Sequence, residues 1–286
     1  DGANYSAWAT AEPLGTINSA DNDQLCYAVK RGSELQIFHN YVVTAVTMVD
    51  TVADTPDQEH TYTYGGAPAY GRADSLLYAI GSTGDTSTFS SYRGFQIISS
   101  TMGDGTQAPT TTNQYYRGTG QLTWSLQEQQ VYDNIRLQGR LLASQVTYPE
   151  GGSGYVATST RHHYTETPIG STPSWVRTDV SLQHNPHVVH AEWIVSTEYD
   201  GDWSRTTETE IDFDPDLHVP VNVLTMVGTQ IATVHDEFEA RCESTEYLSS
   251  ESPYMVVPWR TESREGNCTT GIVTGVSEVG YDGYDW

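Results

Sequence analysis

The fold of this chain is decided by stretches such as Thr61-Tyr62-Thr63-Tyr64-Gly65-Gly66, in which threonine and tyrosine alternate before a glycine pair. β-Branched and aromatic residues favour extended backbone, and glycine favours the turn that ends a strand. Similar tyrosine-centred or phenylalanine-centred signatures recur at irregular intervals, as Tyr132-Asp133, Tyr199-Asp200-Gly201, Tyr281-Asp282-Gly283, Tyr115-Tyr116-Arg117-Gly118 and Phe213-Asp214-Pro215. Their recurrence predicts a series of antiparallel β-hairpins.

Period-two alternation extends this prediction over most of the chain. We predict a long strand over Phe38–Val49 with Glu59–Tyr64 as its partner, and a loop tip over Asp50–Gln58 between them. Further strands are predicted over Phe95–Thr101, Thr110–Tyr116, Ser144–Tyr148, Tyr155–Tyr164, Ser174–Leu182, Val188–Tyr199, Thr206–Phe213 and Val219–Val227. Many of them alternate Thr, Glu or Arg with apolar residues, which is typical of an antiparallel sheet with one solvated face.

Helical character is confined to Asp133–Leu142. Four apolar side chains of this stretch could face a core: Ile135, Leu137, Leu141 and Leu142. Gly139 interrupts this stretch, so a short helix and a turn followed by a strand are both compatible with it. The predicted fold class is therefore all-β, with at most a short helix near 133–142. No linker or change of composition divides the chain, and we treat residues 1–286 as a single segment.

The charge balance limits the possible partners. The chain has 13 basic and 37 acidic side chains, a net charge of −24, and its acidic residues are scattered. Such a surface repels phosphate backbones and anionic lipid, so we predict no nucleic-acid partner. No apolar run approaches the roughly 18–20 residues that span a bilayer, so we predict no membrane insertion by this segment. The chain starts at Asp1 without Met, and we expect it to be a segment of a longer polypeptide.

The chain has three cysteines, Cys26, Cys242 and Cys268. They form no Cys-x-x-Cys motif, which would indicate a zinc ribbon or a thioredoxin-like site. In an exported protein, Cys242 and Cys268 would form a disulfide that closes the loop between them. Two independent buried thiols are the alternative, and Cys26 is left over.

The histidines are candidates for metal binding, because imidazole is a good zinc or copper ligand. His184, His187 and His190 are spaced three residues apart, downstream of His162-His163. Residues three apart on a strand point to opposite faces, and Pro186 breaks the segment, so we predict no metal site.

Carboxylates and aromatic residues are the other candidates for function. A glycosidase needs two facing carboxylates, but a solvated strand face is the commoner reason for a series such as Glu192, Glu198, Asp200, Asp202, Glu208, Glu210, Asp212 and Asp214. No nucleophile elbow, phosphate-binding loop or His-Glu-x-x-His motif occurs, so we predict no catalytic residue and no cofactor. Sugars could stack on Trp124, Trp175, Trp193, Trp203, Trp259 and Trp286, although cross-strand packing is the commoner use of aromatic residues in sheets.

Five stretches in order resemble the Rhs/YD-repeat proteins of bacteria, especially the exported actinobacterial forms, and more distantly toxin-complex cocoon subunits and teneurins. They are Cys26–Lys30 with Phe38–Thr47 and Tyr62–Gly66, then Tyr92-Arg93-Gly94-Phe95, then Tyr115-Tyr116-Arg117-Gly118, then Leu137-Gln138-Gly139-Arg140 with Gln145–Tyr148, and finally Cys242, Thr245–Tyr247, Pro258-Trp259-Arg260, Cys268 and Tyr281-Asp282-Gly283. The resemblance covers nearly the whole chain and is weakest before Asp23.

The resemblance implies a strip of hairpins that forms part of a curved or spiralling β-sheet shell around a carboxy-terminal passenger, often a toxin. It implies a secreted or cell-surface location, with the rest of the same polypeptide and its enclosed passenger as partners. The structural motif residues that it assigns are Tyr132, Asp133, Tyr199, Asp200, Tyr281, Asp282, Arg93, Gly94, Arg117, Gly118, Gly139 and Arg140, and it also matches the cysteine pair Cys242 and Cys268. The segment contains no hypervariable carboxy-terminal domain and no terminal cleavage motif, so passenger release is not assigned to it.

The sequence also suggests a structural role for the three arginine–glycine pairs. Arg93, Arg117 and Arg140 each adjoin a glycine. We expect the glycine to permit a tight turn or bulge, while the guanidinium bridges carbonyls or carboxylates of the next hairpin. The favoured function is a non-catalytic wall segment. The alternatives are an adhesion or carbohydrate-binding β-module, whose partners would be cell-surface glycans or proteins, and a secreted glycoside-active enzyme.

Overall fold

The computed structural model describes residues 25–31, 34–49, 51, 57–72, 89–103, 108–120, 122–124, 126, 130–149, 155–168, 187–201, 203–231, 234–235, 239–251 and 254–281. Within these ranges the chain forms nineteen β-strands and one short 3-10 helix, so the all-β prediction is confirmed. The predicted strand Ser174–Leu182 lies outside the described residues, as do residues 50 and 52–56 of the predicted loop tip Asp50–Gln58. The last residue of that predicted loop, Gln58, begins a strand. The chain divides into two compact units, which are described separately.

The amino-terminal unit comprises the described residues of Asp1–Tyr155 and Pro168–His187. Its strands are β1 (Cys26–Arg31), β2 (Glu34–His39), β3 (Ala45–Met48), β4 (Gln58–Gly65), β5 (Ala69–Arg72), β6 (Phe89–Gly94), β7 (Ile97–Met102), β8 (Thr110–Tyr115), β9 (Leu122–Trp124), β10 (Gln130–Tyr132) and β11 (Leu141–Tyr148). An antiparallel sheet runs in the order β3-β4-β7-β8-β11, and β1–β2, β5–β6 and β9–β10 form three separate hairpins.

The predicted pairing of the first strands is confirmed, with one correction. Ala45 of β3 lies opposite Thr61 of β4. The predicted strand over Phe38–Val49 is wrong in its continuity, because β2 ends at His39 and β3 begins at Ala45. At the break, the Asn40 amide donates to the Leu25 carbonyl at 2.7 Å, so this run leaves the β1–β2 hairpin before it joins β4. Alternation predicts extended backbone but does not reveal such a change of partner.

The stretch near 133–142 resolves into a 3-10 helix, a turn and a strand. The helix spans Ile135–Leu137, and the Asn134 side chain caps it by accepting from the Arg136 amide at 3.1 Å. Gly139 has φ +79°, a left-handed conformation that ends the turn before β11. Both interpretations of this sequence therefore contribute, the helix being a single turn.

Aromatic rings supply much of the packing in the amino-terminal unit. Six rings follow one another with centroid separations between 4.9 and 6.5 Å, in the order Phe38, Tyr27, Tyr70, Tyr92, Phe95 and Tyr64. Burial raises the pKa of Tyr70 to about 12, although a hydrogen bond with the Asn40 side chain opposes the shift. These tyrosines are therefore used for packing between hairpins.

The carboxy-terminal unit comprises the described residues of Val156–Thr167 and Val188–Trp286. Its strands are β12 (Tyr155–Pro168), β13 (His187–Asp200), β14 (Trp203–Phe213), β15 (Pro220–Ile231), β16 (Val234–His235), β17 (Glu239–Glu251), β18 (Tyr254–Glu265) and β19 (Ile272–Glu278). They are hydrogen-bonded in the order β12-β13-β14-β15-β17-β18-β19, and the two-residue β16 pairs with β15. The unit is thus a meander of long antiparallel strands, in which each main strand lies beside the next in sequence.

Two of the sequence signatures mark turns of this meander. Gly201, with φ +60°, follows Tyr199-Asp200 at the turn between β13 and β14. Asp214 forms the turn between β14 and β15, because its carboxylate accepts from the amides of Asp216 at 2.9 Å and Leu217 at 2.7 Å. Asp214-Pro215 is therefore a turn element.

Candidate functional site

The densest cluster of motif residues is centred on the Asp133 carboxylate, which is only 2% exposed. Its Oδ1 accepts from the amides of Arg117 and Gly118, both at 2.7 Å. Its Oδ2 accepts from the Thr119 amide at 3.1 Å and from the Thr119 hydroxyl at 2.7 Å. A buried carboxylate is costly unless its oxygens are hydrogen-bonded, and here both oxygens are occupied.

Glycine at position 118 is required by the backbone. Gly118 has φ +68°, and a Cβ built there would lie 2.8 Å from the Ile135 Cα. Any other residue would be strained and would also collide with the 3-10 helix that comes after Asp133. The chain after β8 can therefore curl around the Asp133 carboxylate only with glycine at this point.

Two arginines brace the same turn. The Arg93 guanidinium donates to the Gly118 carbonyl. The Arg117 guanidinium donates to the Ala67 carbonyl at 3.1 Å and to the Gln96 side-chain oxygen at 3.4 Å. Burial lowers the pKa of Arg117, and the negative charge of Asp133 opposes that shift. We call Asp133, Arg117, Gly118, Thr119 and Arg93 the Asp133 clamp, because together they fasten four separate stretches of the amino-terminal unit.

The remaining arginine–glycine pair contributes through its backbone. The Gly139 amide donates to the Tyr116 carbonyl at 2.8 Å, and the Tyr116 amide donates to the Arg140 carbonyl at 3.0 Å. The Arg140 side chain is exposed. Gly94 has φ +82°, and a Cβ built on it would meet no atom within 4 Å, so its role is conformational. Residues of the third pair thus extend the hydrogen bonding around the Asp133 clamp without adding a guanidinium contact.

The other tyrosine–aspartate signatures occupy different environments. Tyr132 is 57% exposed, beside the buried Asp133. Tyr199 and Asp200 are exposed at the β13–β14 turn. The Tyr281 hydroxyl donates to the Pro258 carbonyl at 2.6 Å, while Asp282 lies outside the described residues. The dipeptide therefore has no single structural role, and sequence alone does not distinguish the clamp from an exposed turn.

Cys242 and Cys268 form a disulfide with a Cα–Cα distance of 5.1 Å, which closes the loop that contains β18. Cys242 is 1% exposed on β17, and Cys268 lies in the turn between β18 and β19. Asn267 shapes that turn, because its side-chain oxygen accepts from the Thr270 amide at 2.7 Å. Cys26 is buried and takes no part in a disulfide, and burial raises the pKa of its thiol.

The histidines are used in ring packing. His163 stacks on Trp193 with ring centroids 4.4 Å apart, and His190 stacks on Phe213 at 4.0 Å. Burial lowers the pKa of His162 and of His163, and the nearby Arg161 charge lowers the latter further. His184 lies outside the described residues. In the part of the chain that the structure describes, no group of three or more His, Cys, Asp or Glu side chains could hold a metal ion.

The carboxylates of β14 face neutral side chains across the sheet. Glu208 lies between Val195 and Met226, and Glu210 lies between Trp193 and Leu224. A hollow of about 420 Å3 beside them is lined by His163, Glu192, Trp193, Glu210, Ile211 and Asp212. The sheet register therefore does not place Glu208 or Glu210 directly opposite a second carboxylate, whereas Glu192, Glu210 and Asp212 all line this hollow.

The tryptophans whose side chains the structure describes lie on three different strands. Trp193 is half-buried against His163, and Trp203 and Trp259 are also half-buried, on β14 and β18. Trp175 and Trp286 lie outside the described residues, as does the side chain of Trp124.

Sequence reasoning named most residues of the Asp133 clamp but not their arrangement. It missed Thr119, which supplies two donors, and Gln96, which accepts from Arg117. The available signal was the adjacency of Thr119 to an arginine–glycine pair, since a short hydroxyl residue beside a left-handed glycine readily caps a turn.

Comparison with known proteins adds no family assignment. No protein-family model matches the chain, and no curated protein matches it. None of the described helical residues forms a helix long and apolar enough to cross a membrane.

Proposed function

We propose that the chain is a non-catalytic structural segment of an exported Rhs/YD-repeat β-sheet shell, which encloses or displays a carboxy-terminal passenger such as a polymorphic toxin. The observation that supports this proposal is the Asp133 clamp. Its carboxylate is 2% exposed and accepts four hydrogen bonds, so it has no free oxygen with which to act on a substrate. Motif residues that could carry chemistry in another setting are used here to fasten one hairpin to the next.

A wall of this kind works by exclusion. Long antiparallel strands satisfy their backbone groups in the sheet, and close packing leaves no path for water or protease. Cross-strand hydroxyl pairs reinforce the sheet, as between Ser99 and Thr112 at 3.0 Å and between Thr101 and Thr110 at 2.9 Å. Such pairs add to the stability of the sheet that the proposed wall requires.

The proposed location is extracellular, either secreted or at the cell surface. Disulfides form and persist in oxidising compartments, and Cys242–Cys268 is one. The net charge of −24 also favours solubility of a β-sheet that has a solvent-exposed face. The proposed partners are the remaining parts of the same polypeptide and the passenger that it encloses.

Limited proteolysis of the natural full-length polypeptide tests this function. Intact-mass measurement first shows whether the polypeptide is longer than residues 1–286, and a protease is then added to the native protein. We expect the passenger to resist digestion in the wild type and to become sensitive in the Asp133→Ala variant, because a loosened wall admits the protease. Equal digestion of the passenger in both proteins, or an intact mass without additional sequence, would contradict the proposal.

A further inference from the structure

Strand β19 leaves one edge of the carboxy-terminal unit open. Among the described residues it pairs only with β18, and all seven of its residues are exposed. Ile272 is 72% exposed and Val276 51%, on a chain whose net charge is −24. Val273 is also exposed, at 45%, so β19 presents several apolar side chains at this edge.

Few of the usual protections of an exposed edge are present in β19. Natural sheets block their edges with lysine, proline, inward-pointing charges, β-bulges or very short strands. β19 contains no lysine and no proline, and Glu278, at its last position, is its only charged residue. Its register against β18 shifts once, where the partner changes from Ser263 to Arg264, and the stretch from Val276 to Glu278 follows that shift in regular pairing. This stretch is suited to pairing with another strand.

The charge that β19 does carry belongs to a row of alternating sign. Glu246 of β17 lies opposite Arg260 of β18, which lies opposite Glu278 of β19. Arg260 contacts Glu246 at 2.8 Å and Glu278 at 3.6 Å. The row thus runs negative, positive, negative across three strands and ends on a carboxylate that is 64% exposed. Continuation of the alternation requires a positive charge at the same register position of the next strand.

Backbone geometry shows which groups of β19 face outward. The Val279 amide donates to the Trp259 carbonyl at 2.8 Å, so Val279 is bonded to the inner neighbour. In an antiparallel ladder the bonded and non-bonded pairs alternate, so Glu278 and Val276 direct their backbone groups away from β18. Val276 also lies on the same face of the sheet as Glu278, two positions along the strand.

We propose that β19 binds an extended strand of a partner polypeptide that carries a lysine or arginine opposite Glu278 and a β-branched apolar residue opposite Val276. The partner's backbone pairs with the outward groups of Val276 and Glu278, and its two side chains supply the specificity. This inference goes beyond the proposed wall function, because it names the chemistry of the strand that joins this edge. It does not depend on what the wall encloses.

A second copy of the chain fits this edge poorly. Antiparallel pairing of two β19 strands centred on Gly275 places Ile272 of one copy opposite Glu278 of the other, so the row of charges is not continued. Two chains that each carry −24 also repel one another. The partner is therefore a different segment, with a basic residue in its strand.

A pair of peptides tests the proposal on the folded chain. The probe is a labelled seven-residue peptide, Thr-Lys-Thr-Val-Thr-Val-Thr, blocked at both ends, and its control has Glu in place of Lys. Fluorescence anisotropy should show that the Lys peptide binds about 2- to 30-fold more tightly than the Glu peptide, the range expected for opposite against like cross-strand charges. Failure of both peptides to bind would overturn the proposal.

Two protein variants distinguish binding of the Lys peptide at Glu278 from a non-specific attraction between a basic peptide and an acidic protein. Glu278→Lys should reverse the preference between the peptides, whereas Asp216→Lys on an exposed turn should leave it unchanged, although each changes the net charge from −24 to −22 (−24 + 2). The same preference in both variants would refute the assignment of Glu278.

A backbone variant tests strand pairing itself. Val276→Pro removes an outward N–H without breaking the β18–β19 ladder, so it should abolish binding at an unchanged melting temperature. Val276→Thr keeps that N–H and should retain binding. Self-association of the unmodified chain that Val276→Pro abolishes, without any peptide preference, would identify a second copy as the occupant and overturn the proposal.

Discussion

Replacement of Asp133 by alanine should destabilise the amino-terminal unit strongly. The change removes an acceptor of four hydrogen bonds and leaves the amides of Arg117, Gly118 and Thr119 without their partner in a site that is 2% exposed. Hydrogen bonds to a charged group contribute about 1.5–3 kcal/mol each but are not additive. We therefore expect a loss of about 3–5 kcal/mol, the range for breaking a buried charged network.

The loss should be visible as a lower melting temperature and as faster local exchange. For a unit of this size, 3–5 kcal/mol corresponds to a decrease of roughly 6–20 °C. Hydrogen exchange of the amides of residues 117–119 reports on the clamp itself, because these donors are protected only while the carboxylate holds them. Asp133→Asn should fall between alanine and wild type, since the amide offers one acceptor oxygen in place of two.

Asp200→Ala is the matched control, because it removes the aspartate of another tyrosine–aspartate pair. Asp200 is exposed at a turn, so we expect a change within about 0.5 kcal/mol. A free energy of unfolding for Asp133→Ala within that same margin of wild type, with the amides of residues 117–119 still protected from exchange, would contradict the assigned role of Asp133.

Three further predictions concern the clamp glycine, the disulfide and the histidines. Gly118→Ala should lower thermal stability more than Gly94→Ala, because both glycines have positive φ but only the Cβ at position 118 meets backbone, at 2.8 Å; equal melting temperatures would contradict this. Reduction of Cys242–Cys268 should lower the unfolding free energy by about 3–4 kcal/mol in the chain-entropy model for its 26-residue separation, seen as a lower urea midpoint, and an unchanged midpoint would show that the loop gains nothing from the bond. Burial holds the pKa of His163 below its unfolded value of about 6.5, so the unfolded state binds more protons and stability should fall as the pH drops from that value toward the lowered folded pKa. His163→Phe keeps a ring on Trp193 and should weaken this acid dependence in melting curves; an identical pH profile would exclude His163 as its source.

The fold class could be predicted because alternation is a local property. Thr110–Tyr116 predicts a strand within one residue of β8, and Glu59–Tyr64 predicts both β4 and its pairing with β3. The cysteine pair predicts a disulfide only for an exported protein, and the structure forms that bond. Each of these inferences depends on residues that are close in sequence or on a pair with few alternatives.

The arrangement of the site could not be predicted in the same way. Asp133 accepts from Arg117, Gly118 and Thr119, which lie on the far side of the β9–β10 hairpin, and no spacing rule selects that aspartate over Asp200. The broken strand after His39 has the same cause, since its two halves pair with different neighbours. Partner choice is decided by tertiary packing, which local propensity does not encode.

An electron cryomicroscopy map of the intact source polypeptide would test the wall proposal most directly. We expect a β-sheet, continued by strands from the rest of the polypeptide, that surrounds a separate passenger density. A map in which no volume is enclosed would contradict the wall proposal.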